Sequence, residues 1–341
     1  MTIRSTISLL VALLFVSCVA PPERRGADDD DATEPPSEGQ VDILFVVDNS
    51  NSMAAIQQEL QGEFPSLLAS LAAGGVQFQL GVTTTDLDSG GNGNQGSLRS
   101  LEAVGAGTTC GEPRILTPDD ADLAGDFEQL LDVGVVGSGN EKGLYAAAVA
   151  LCKAQGEAFW AGLDALPDDD PVKGVCSMVP VAERACNGGF LRDGASLVVA
   201  IFTDEGDDTE RLEFLPPPSH VEQCVLDNND DPFFGECDCR LAWWMEFFEG
   251  VAPGAAFLTV GPTYQSAADE TSWCDGGTVS IPGPCNPFGN TICSIDFYQR
   301  AACLSGGAFF PYATTDGADP TCSTVDFGDV AQGLAGLVQP L

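Results

Sequence analysis

Continuous apolar runs alternate along the chain with segments in which apolar residues recur every three or four positions. The run VDILFVVD over residues 41–48 is rich in β-branched residues, which is typical of a strand buried on both faces. An apolar stripe then predicts a helix that ends before Gly74. The stripe consists of Met53, Ile56, Leu60, Phe64, Leu67 and Leu71. A second strand, VQFQLGVTTTD, ends at Asp86. Strand, helix and strand at this spacing predict a sheet with parallel strands.

The same alternation continues to the end of the chain. We predict a strand in SLVVAIFTD and later strands in AAFLTVGP and AFFPYAT. Helices are predicted around Phe127 and in NEKGLYAAAVALCKA, RLAWWMEFFEGV, SIDFYQRAACLSGG and VDFGDVAQGLAGLVQ. The predicted fold class is therefore α/β and Rossmann-like, with a mostly parallel central sheet and helices on both faces. Cysteine-rich inserts interrupt this order near residues 155–195, 215–240 and 264–295.

The first residues have the composition of an export signal. In residues 1–18 a single Arg precedes an apolar run that is too short to span a bilayer. The ending FVSC resembles a bacterial lipobox, in which Cys18 becomes the acylated N-terminus, and plain cleavage near Ala20 is the alternative. Residues 19–39 are acidic and contain proline, so we expect an extended tether. Residues 40–341 have globular composition and are predicted to form the domain.

Charge restricts the partners of this chain. The formal net charge is −38, from 51 Asp and Glu against 13 Lys and Arg. Such a surface repels phosphate backbones and anionic lipid heads, so we expect no nucleic-acid partner and favour divalent cations or basic surfaces. Solubility of an exported protein is a simpler explanation of the same acidity.

The cysteine content indicates an oxidising compartment. Of 13 cysteines, twelve remain after Cys18, and an even number in an exported chain implies disulfides. Zinc is a weaker interpretation because no C-x-x-C pair is present and His220 is the only histidine.

Oxygen-bearing side chains follow two of the predicted buried strands. Asp48 ends the first strand, Ser50 and Ser52 come next, and Asp204 ends SLVVAIFTD. In open parallel sheets, ligands bind at the carboxyl ends of the strands, so these oxygens are candidates for a shared site. Short Asp and Ser side chains supply the hard oxygens that Mg²⁺ prefers. The alternative is that Ser50 or Ser52 only caps the following helix.

The sequence DNSNS at the end of a hydrophobic strand, with IFTDE downstream, resembles the metal-ion-dependent adhesion site of von Willebrand factor type A (vWA) domains. The resemblance implies the vWA fold and a bound Mg²⁺, or Mn²⁺ or Ca²⁺ in its place. The implied ligands are Asp48, Ser50, Ser52 and Asp204, with Ser138 of VGSGNEKGL at the position of the family's Thr. Accessory candidates are Asp86, Glu141 and Glu205. The loops TDLDSGG and DEGDD are candidates for an additional Ca²⁺, or are simply solvated.

The resemblance implies a binding or adhesion module. Its ion keeps one position open for a carboxylate of a protein or cell-surface ligand. With the N-terminal signal, we expect an exported lipoprotein of a bacterial cell envelope, attached to the membrane through lipid at Cys18 and periplasmic or on the outer surface. The segment NGGFLRDGASLVVAIFTDEGDD also resembles exported vWA lipoproteins of myxobacteria and similar bacteria.

Two other classes of function stay open at this point. A structural envelope protein would use the metal only to stabilise its fold. A metal-dependent hydrolase is less favoured because no G-x-S-x-G, H-E-x-x-H or P-loop motif is present, and His220 lies in a proline-rich insert. We therefore predict that the chain is not an enzyme.

Overall fold

The central sheet of the protein follows the apolar runs of the sequence. The structure is a computed structural model that describes residues 39–87, 94–101, 113–207, 209, 236–262, 293–312 and 327–338. Within these ranges five strands form one sheet in the order β2-β1-β3-β4-β5, and every neighbouring pair is parallel. The strands are β1 Gln40–Val47, β2 Gln77–Thr84, β3 Ser196–Phe202, β4 Ala256–Pro262 and β5 Ala308–Tyr312. The predicted α/β class with a parallel sheet is confirmed.

Helices cover both faces of this sheet. They are α1 Ala54–Ala73, α2 Leu123–Leu131, α3 Gly143–Ala154, α4 Glu157–Gly162, α5 Pro171–Cys176, α6 Glu236–Val251, α7 Cys293–Leu304 and α8 Phe327–Val338. Short 3₁₀ turns lie at 51–53, 163–165 and 181–183. Among the helices described, none combines the length and the apolar character that crossing a membrane requires.

Alternate residues of β1 reach two separate cores. Leu44 and Val46 pack in the core that contains α3, α5, α6 and α7. Ile43 and Phe45 pack in the other core, with residues of α1, α2 and α8. The ring of Phe45 lies 5.5 Å from that of Phe64 on α1. Burial on both faces explains why the run is continuously apolar, since side chains of a strand alternate between faces.

The predicted stripe of the first helix needs one correction. Leu68 is fully buried, whereas Leu67 is only partly buried. The helix ends at Ala73, before the predicted glycine pair, and Gly75 has a φ of 83°, a conformation that favours glycine. The second strand ends at Thr84, two residues before the predicted end at Asp86.

The insert near residues 155–195 is structured and attached to α3. It contains α4 and α5, and a disulfide joins Cys152 on α3 to Cys176 on α5. Cys186 and Cys239 are disulfide-bonded as well. Several predicted features lie outside the described residues. They are the predicted signal peptide with Cys18, nearly all of the tether, His220, and most of the inserts near 215–240 and 264–295.

Candidate metal site

The register of the sheet brings three strand ends to the same edge. Val47, the last residue of β1, pairs with Thr84 of β2 and with Phe202 of β3. Backbone hydrogen bonds continue one residue further, because the N–H of Asp48 donates to the carbonyl of Phe202 and the N–H of Thr85 donates to the carbonyl of Val47. The residues that follow the three strands are therefore neighbours.

Four predicted site residues meet at this edge. The hydroxyl oxygens of Ser50 and Ser52 are 3.0 Å apart, and the Ser52 hydroxyl donates to Oδ1 of Asp204 at 3.1 Å. The N–H of Ser50 donates to Oδ1 of Asp48 at 2.6 Å. Neither Ser50 nor Met53, the residues that precede the 3₁₀ turn and α1, makes a side-chain capping hydrogen bond. The capping interpretation of the serines is therefore wrong, and their side chains contact the other oxygens instead.

The two carboxylates of this cluster are buried. Asp48 is fully buried and Asp204 is 4% exposed. Burial raises the pKa of Asp48 to about 6, although hydrogen bonds from Thr203 and Ser50 oppose the rise. Burial also raises the pKa of Asp204. None of the ion pairs between described residues includes either carboxylate. A cation would supply the counter-charge that the described part of the chain does not provide here.

A second group of oxygens lies beside the first. The N–H of Ser138 donates to Oδ2 of Asp86 at 3.1 Å, and the Ser138 hydroxyl accepts from the N–H of Asn140. The hydroxyl of Thr85 donates to one carboxyl oxygen of Glu141. The other oxygen of this buried carboxyl group has no hydrogen-bond partner among the described residues. Burial and the nearby charges of Asp48, Glu205 and Asp86 raise the pKa of Glu141 to about 10.

One loop contact connects the two groups. The N–H of Gly137 donates to the backbone carbonyl of Asn49 at 2.8 Å. The Asn49 side chain is fully buried, and in the described part of the chain neither its amide nitrogen nor its oxygen has a hydrogen-bond partner. A Cβ at position 137 would lie 2.4 Å from the Asn49 side chain, so the glycine permits the close approach of the loop that carries Ser138.

Part of the acidic loop after β3 has a structural role. The carboxylate of Asp207 accepts hydrogen bonds from the N–H groups of Leu144 and Thr209. The N–H of Tyr145 donates to the hydroxyl of Thr209, and the N–H of Gly143 donates to the hydroxyl of Tyr298. These contacts satisfy free N–H groups at the start of α3. The additional Ca²⁺ predicted in this loop and near Asp86 stays a prediction, and Asp208 and residues 88–93 lie outside the described residues.

Two supporting residues were missed by the sequence analysis. The Thr203 hydroxyl donates to Oδ2 of Asp48 at 2.7 Å. The side-chain amide of Gln57, on the buried side of α1, donates to the carbonyls of Asp48 and Gly134. The available signals were a polar residue within an apolar helix stripe and a Thr directly before the strand-end Asp. Within the described ranges, no group of three or more His, Cys, Asp or Glu side chains is placed to hold a metal ion. The candidate site therefore depends on hydroxyl oxygens as well as carboxylates.

No family model and no curated protein matches the chain. Solved structures align with it at low similarity. A von Willebrand factor type A structure from Catenulispora acidiphila has 12% identity and a TM-score of 0.33, covering 89% of this chain and 42% of that one. A conserved hypothetical protein, BatB from Bacteroides thetaiotaomicron, has 12% identity and a TM-score of 0.30, covering 87% and 98%. Proximal thread matrix protein 1 from the mussel byssus has 12% identity and a TM-score of 0.26, covering 70% and 42%. The chain thus spans less than half of the first of these structures. Alignments this weak carry no argument about function.

Proposed function

We propose that the protein is a vWA-type binding module that captures a protein or cell-surface ligand through a bound divalent cation, Mg²⁺ or, in its place, Mn²⁺ or Ca²⁺. The residues that would hold the cation are Asp48, Ser50, Ser52 and Asp204, with Ser138 at the fifth position. Asp86, Glu141 and Glu205 would act around them as accessory groups.

The observation that carries the proposal is the line of oxygens from Ser50 through Ser52 to Asp204. This line joins the loop after β1 to the end of β3. Its hydrogen-bonded members Ser52 and Asp204 lie 152 positions apart in the sequence. Hydroxyl and carboxylate oxygens are the ligands that Mg²⁺ and Ca²⁺ prefer. Among the described residues no ion pair neutralises the two buried carboxylates, so a bound cation would supply their counter-charge.

The composition of this ligand set favours binding of a partner. The two carboxylates and three hydroxyls of this set supply five of the roughly six oxygen ligands that Mg²⁺ takes, which leaves one position on the cation open. The cation would therefore attract a carboxylate from outside the chain. Ser52 is exposed, so this side of the cluster is open to a ligand. We expect no catalysis, because the described site contains no histidine or cysteine beside these oxygens to act as a base or nucleophile.

Export and membrane attachment are part of the proposal. They are supported by the apolar N-terminal run, the lipobox-like FVSC ending at Cys18 and the acidic tether. The module would then be held at a bacterial membrane, periplasmic or on the outer surface, with lipid at Cys18 as its anchor. The tether would keep the domain away from the membrane.

The proposal is tested by metal-dependent capture. The full-length protein is incubated with envelope and extracellular proteins of its source in Mg²⁺ or in EDTA, and retained proteins are identified. We expect a partner that is retained only in Mg²⁺ and lost with Asp204→Asn. Asp119→Asn, at an exposed carboxylate, is the matched control and should retain the partner.

Retention that is equal in Mg²⁺ and EDTA would contradict metal-mediated binding. Magnesium binding measured by calorimetry in the same samples separates the structural alternative. Stabilisation by Mg²⁺ without any metal-dependent partner would indicate an envelope protein whose metal only supports the fold. Hydrolytic turnover lost in Asp204→Asn would favour an enzyme instead.

A further inference from the structure

A tight turn at residues 94–97 contacts the candidate metal site. The chain leaves this edge of the sheet after Asp86, and within the turn the N–H of Gln95 donates to the carbonyl of Asp86 at 3.3 Å. The carboxylate of the same Asp86 accepts from the N–H of Ser138, the residue proposed as the fifth metal ligand. Two hydrogen bonds therefore connect the turn to Ser138 through a single residue.

The backbone of this turn has an uncommon conformation. Gln95 and Gly96 have φ values of 49° and 75°, and the N–H of Ser97 donates to the carbonyl of Asn94 at 2.8 Å. Two consecutive residues with positive φ are typical of a type I′ turn, in which glycine and asparagine are favoured. Glutamine adopts this conformation only where the surrounding structure holds it in place.

Lys153 of α3 provides part of that support. Its ammonium group donates to the carbonyl of Gln95 at 2.8 Å and to the hydroxyl of Ser97 at 3.0 Å. The same group forms an ion pair of 2.7 Å with Glu183, and the Lys153 side chain is only 1% exposed. The three donors of the ammonium group thus meet three acceptors, two of which belong to the turn.

Asn187 of the insert near 155–195 supports the same turn. Its side-chain amide donates to the carbonyl of Gly96 at 2.9 Å, and its Oδ1 accepts from the N–H of Leu98 at 2.8 Å. The N–H of Asn187 donates to the carbonyl of Lys153 at 3.1 Å. The insert therefore contacts both the turn and the helix that carries Lys153.

Stability alone does not explain a lysine at position 153. Removing an ammonium group from water costs free energy, and apolar residues of similar size often stabilise a buried position as well as an ion pair does. An apolar side chain, however, donates no hydrogen bond to the carbonyl of Gln95. What the ammonium group contributes is therefore a fixed position of the turn relative to α3.

We propose that Lys153 is a positioning residue of the metal site, which fixes the turn at 94–97 and through it the loop of Ser138. This inference rests on the proposed function. Lys153 holds the carbonyl of Gln95, the N–H of Gln95 holds Asp86, and the carboxylate of Asp86 holds the N–H of Ser138. Without the ammonium group, the turn relaxes and the Ser138 hydroxyl loses its place beside the cation.

Calorimetry of Mg²⁺ binding to the full-length protein tests the inference. We expect Lys153→Met to bind Mg²⁺ about tenfold more weakly, as is common when a group that orients a metal ligand is lost. The direction of the change is diagnostic, because removal of a positive charge alone would strengthen the attraction of the site for a cation.

Arg192→Met is the matched control for Lys153→Met. It removes the same charge from another ion pair, that of Arg192 with the buried Asp42. Asp42 lies six positions before Asp48 along β1, which places this pair about 20 Å from the candidate site. Arg192→Met should therefore lose stability without any weakening of Mg²⁺ binding.

Gly96→Ala displaces the same turn without a change of charge. The added Cβ would lie 2.6 Å from the side chain of Val149, and alanine rarely adopts a φ of 75°. We expect weaker Mg²⁺ binding here as well, so this variant decides if Lys153→Met does not fold. Its control is Gly254→Ala, which has the same φ but no described atom within 4 Å of the added Cβ, and which should bind Mg²⁺ as wild type does.

Amide hydrogen exchange without metal tests the contacts themselves. The N–H of Ser138 should exchange faster in Lys153→Met and Gly96→Ala than in wild type, and at the wild-type rate in the two controls. Equal Mg²⁺ affinity in wild type, Lys153→Met and Gly96→Ala would overturn the positioning role and leave the metal site intact. If wild type binds no Mg²⁺, the proposed function falls, and the exchange of Ser138 still decides whether Lys153 fixes this loop.

Discussion

The hydroxyl of Ser52 donates a hydrogen bond to Oδ1 of Asp204 at 3.1 Å, across 152 positions of sequence. Ser52 lies in the turn that precedes α1, and Asp204 follows β3. The contact is possible because β1 and β3 are adjacent and end in register. It therefore marks the edge of the sheet at which β1 and β3 end.

Magnesium should stabilise the wild-type protein. A ligand that binds only the folded state at a hundred times its dissociation constant adds about 2.7 kcal/mol to the free energy of unfolding. We expect this gain in urea denaturation of wild type and of Asp119→Asn, and its loss in Asp204→Asn. An equal gain in all three proteins would show that Mg²⁺ acts elsewhere on the acidic surface.

Thr203 should position Asp48 for metal binding. Thr203→Val removes a hydrogen bond of 2.7 Å to a buried carboxylate, which typically costs about 1.5–3 kcal/mol of stability. Groups that orient a metal ligand commonly affect metal affinity by about 10–100-fold, so calorimetry should show weaker Mg²⁺ binding. Thr203→Ser keeps the hydroxyl and should restore most of the affinity. If Thr203→Ser bound Mg²⁺ as weakly as Thr203→Val, loss of the hydroxyl would not be the cause of the weaker binding.

Gly137 should control the position of the Ser138 loop. Gly137→Ala places a Cβ 2.4 Å from the buried Asn49 side chain, so the loop has to move. Overpacking of this kind costs about 1–3 kcal/mol. We expect reduced stability and weaker Mg²⁺ binding in Gly137→Ala. In Gly139→Ala the added Cβ meets nothing within 4 Å, so this variant should behave as wild type in both measurements.

The ion pair between Asp42 and Arg192 should give a pH-dependent stability. The Nε atom of Arg192 lies 2.7 Å from Oδ1 of Asp42. Burial raises the pKa of Asp42 above its ordinary value of 3.8, although the hydrogen bonds and the charge of Arg192 oppose the rise. Because the pKa of Asp42 is higher in the folded than in the unfolded state, its protonated form stabilises the fold. This contribution is fully present below pH 3.8 and is lost as the pH rises through the pKa of the folded state. Arg192→Met removes the opposing interactions and raises the pKa further.

Arg192→Met should therefore cost about 3–5 kcal/mol at neutral pH and less in acid, where Asp42 is protonated. Urea denaturation at several pH values measures this difference. Arg114→Met breaks contacts with the partly exposed Asp120 and Asp126 and should cost less than about 1 kcal/mol. A loss of unfolding free energy in Arg192→Met that does not change with pH would contradict the assignment of this pH dependence to Asp42.

The disulfide between Cys152 and Cys176 should contribute to stability. Its partners are 24 positions apart, and closing a loop of this length in the unfolded chain stabilises the fold by about 3–4 kcal/mol. We expect the Cys152→Ala/Cys176→Ala double variant to lose about this amount in denaturant unfolding. A double variant as stable as wild type would show that α3 and α5 are held by packing alone.

Local pattern was sufficient for most of the elements. The apolar run that became β1 and the periodic stripe of α1 each depend on neighbours in sequence, and both were predicted within a few residues. Leu67 was placed in the stripe where Leu68 is the fully buried residue, because periodicity does not specify which of two adjacent leucines faces the core. The order of the strands also explains why Asp48 and Asp204 could be predicted to share an edge.

The sequence by itself therefore determined the fold class and the oxygen-bearing residues of the candidate site, since both are expressed in short patterns. Only the tertiary structure decided which atoms meet. The hydrogen bond from Thr203 to Asp48, the fit of Gly137 over Asn49, and the contacts of Lys153 with the turn at 94–97 join segments that are distant in sequence. These contacts depend on strand register and on the paths of loops, which no local pattern of apolar and polar residues specifies.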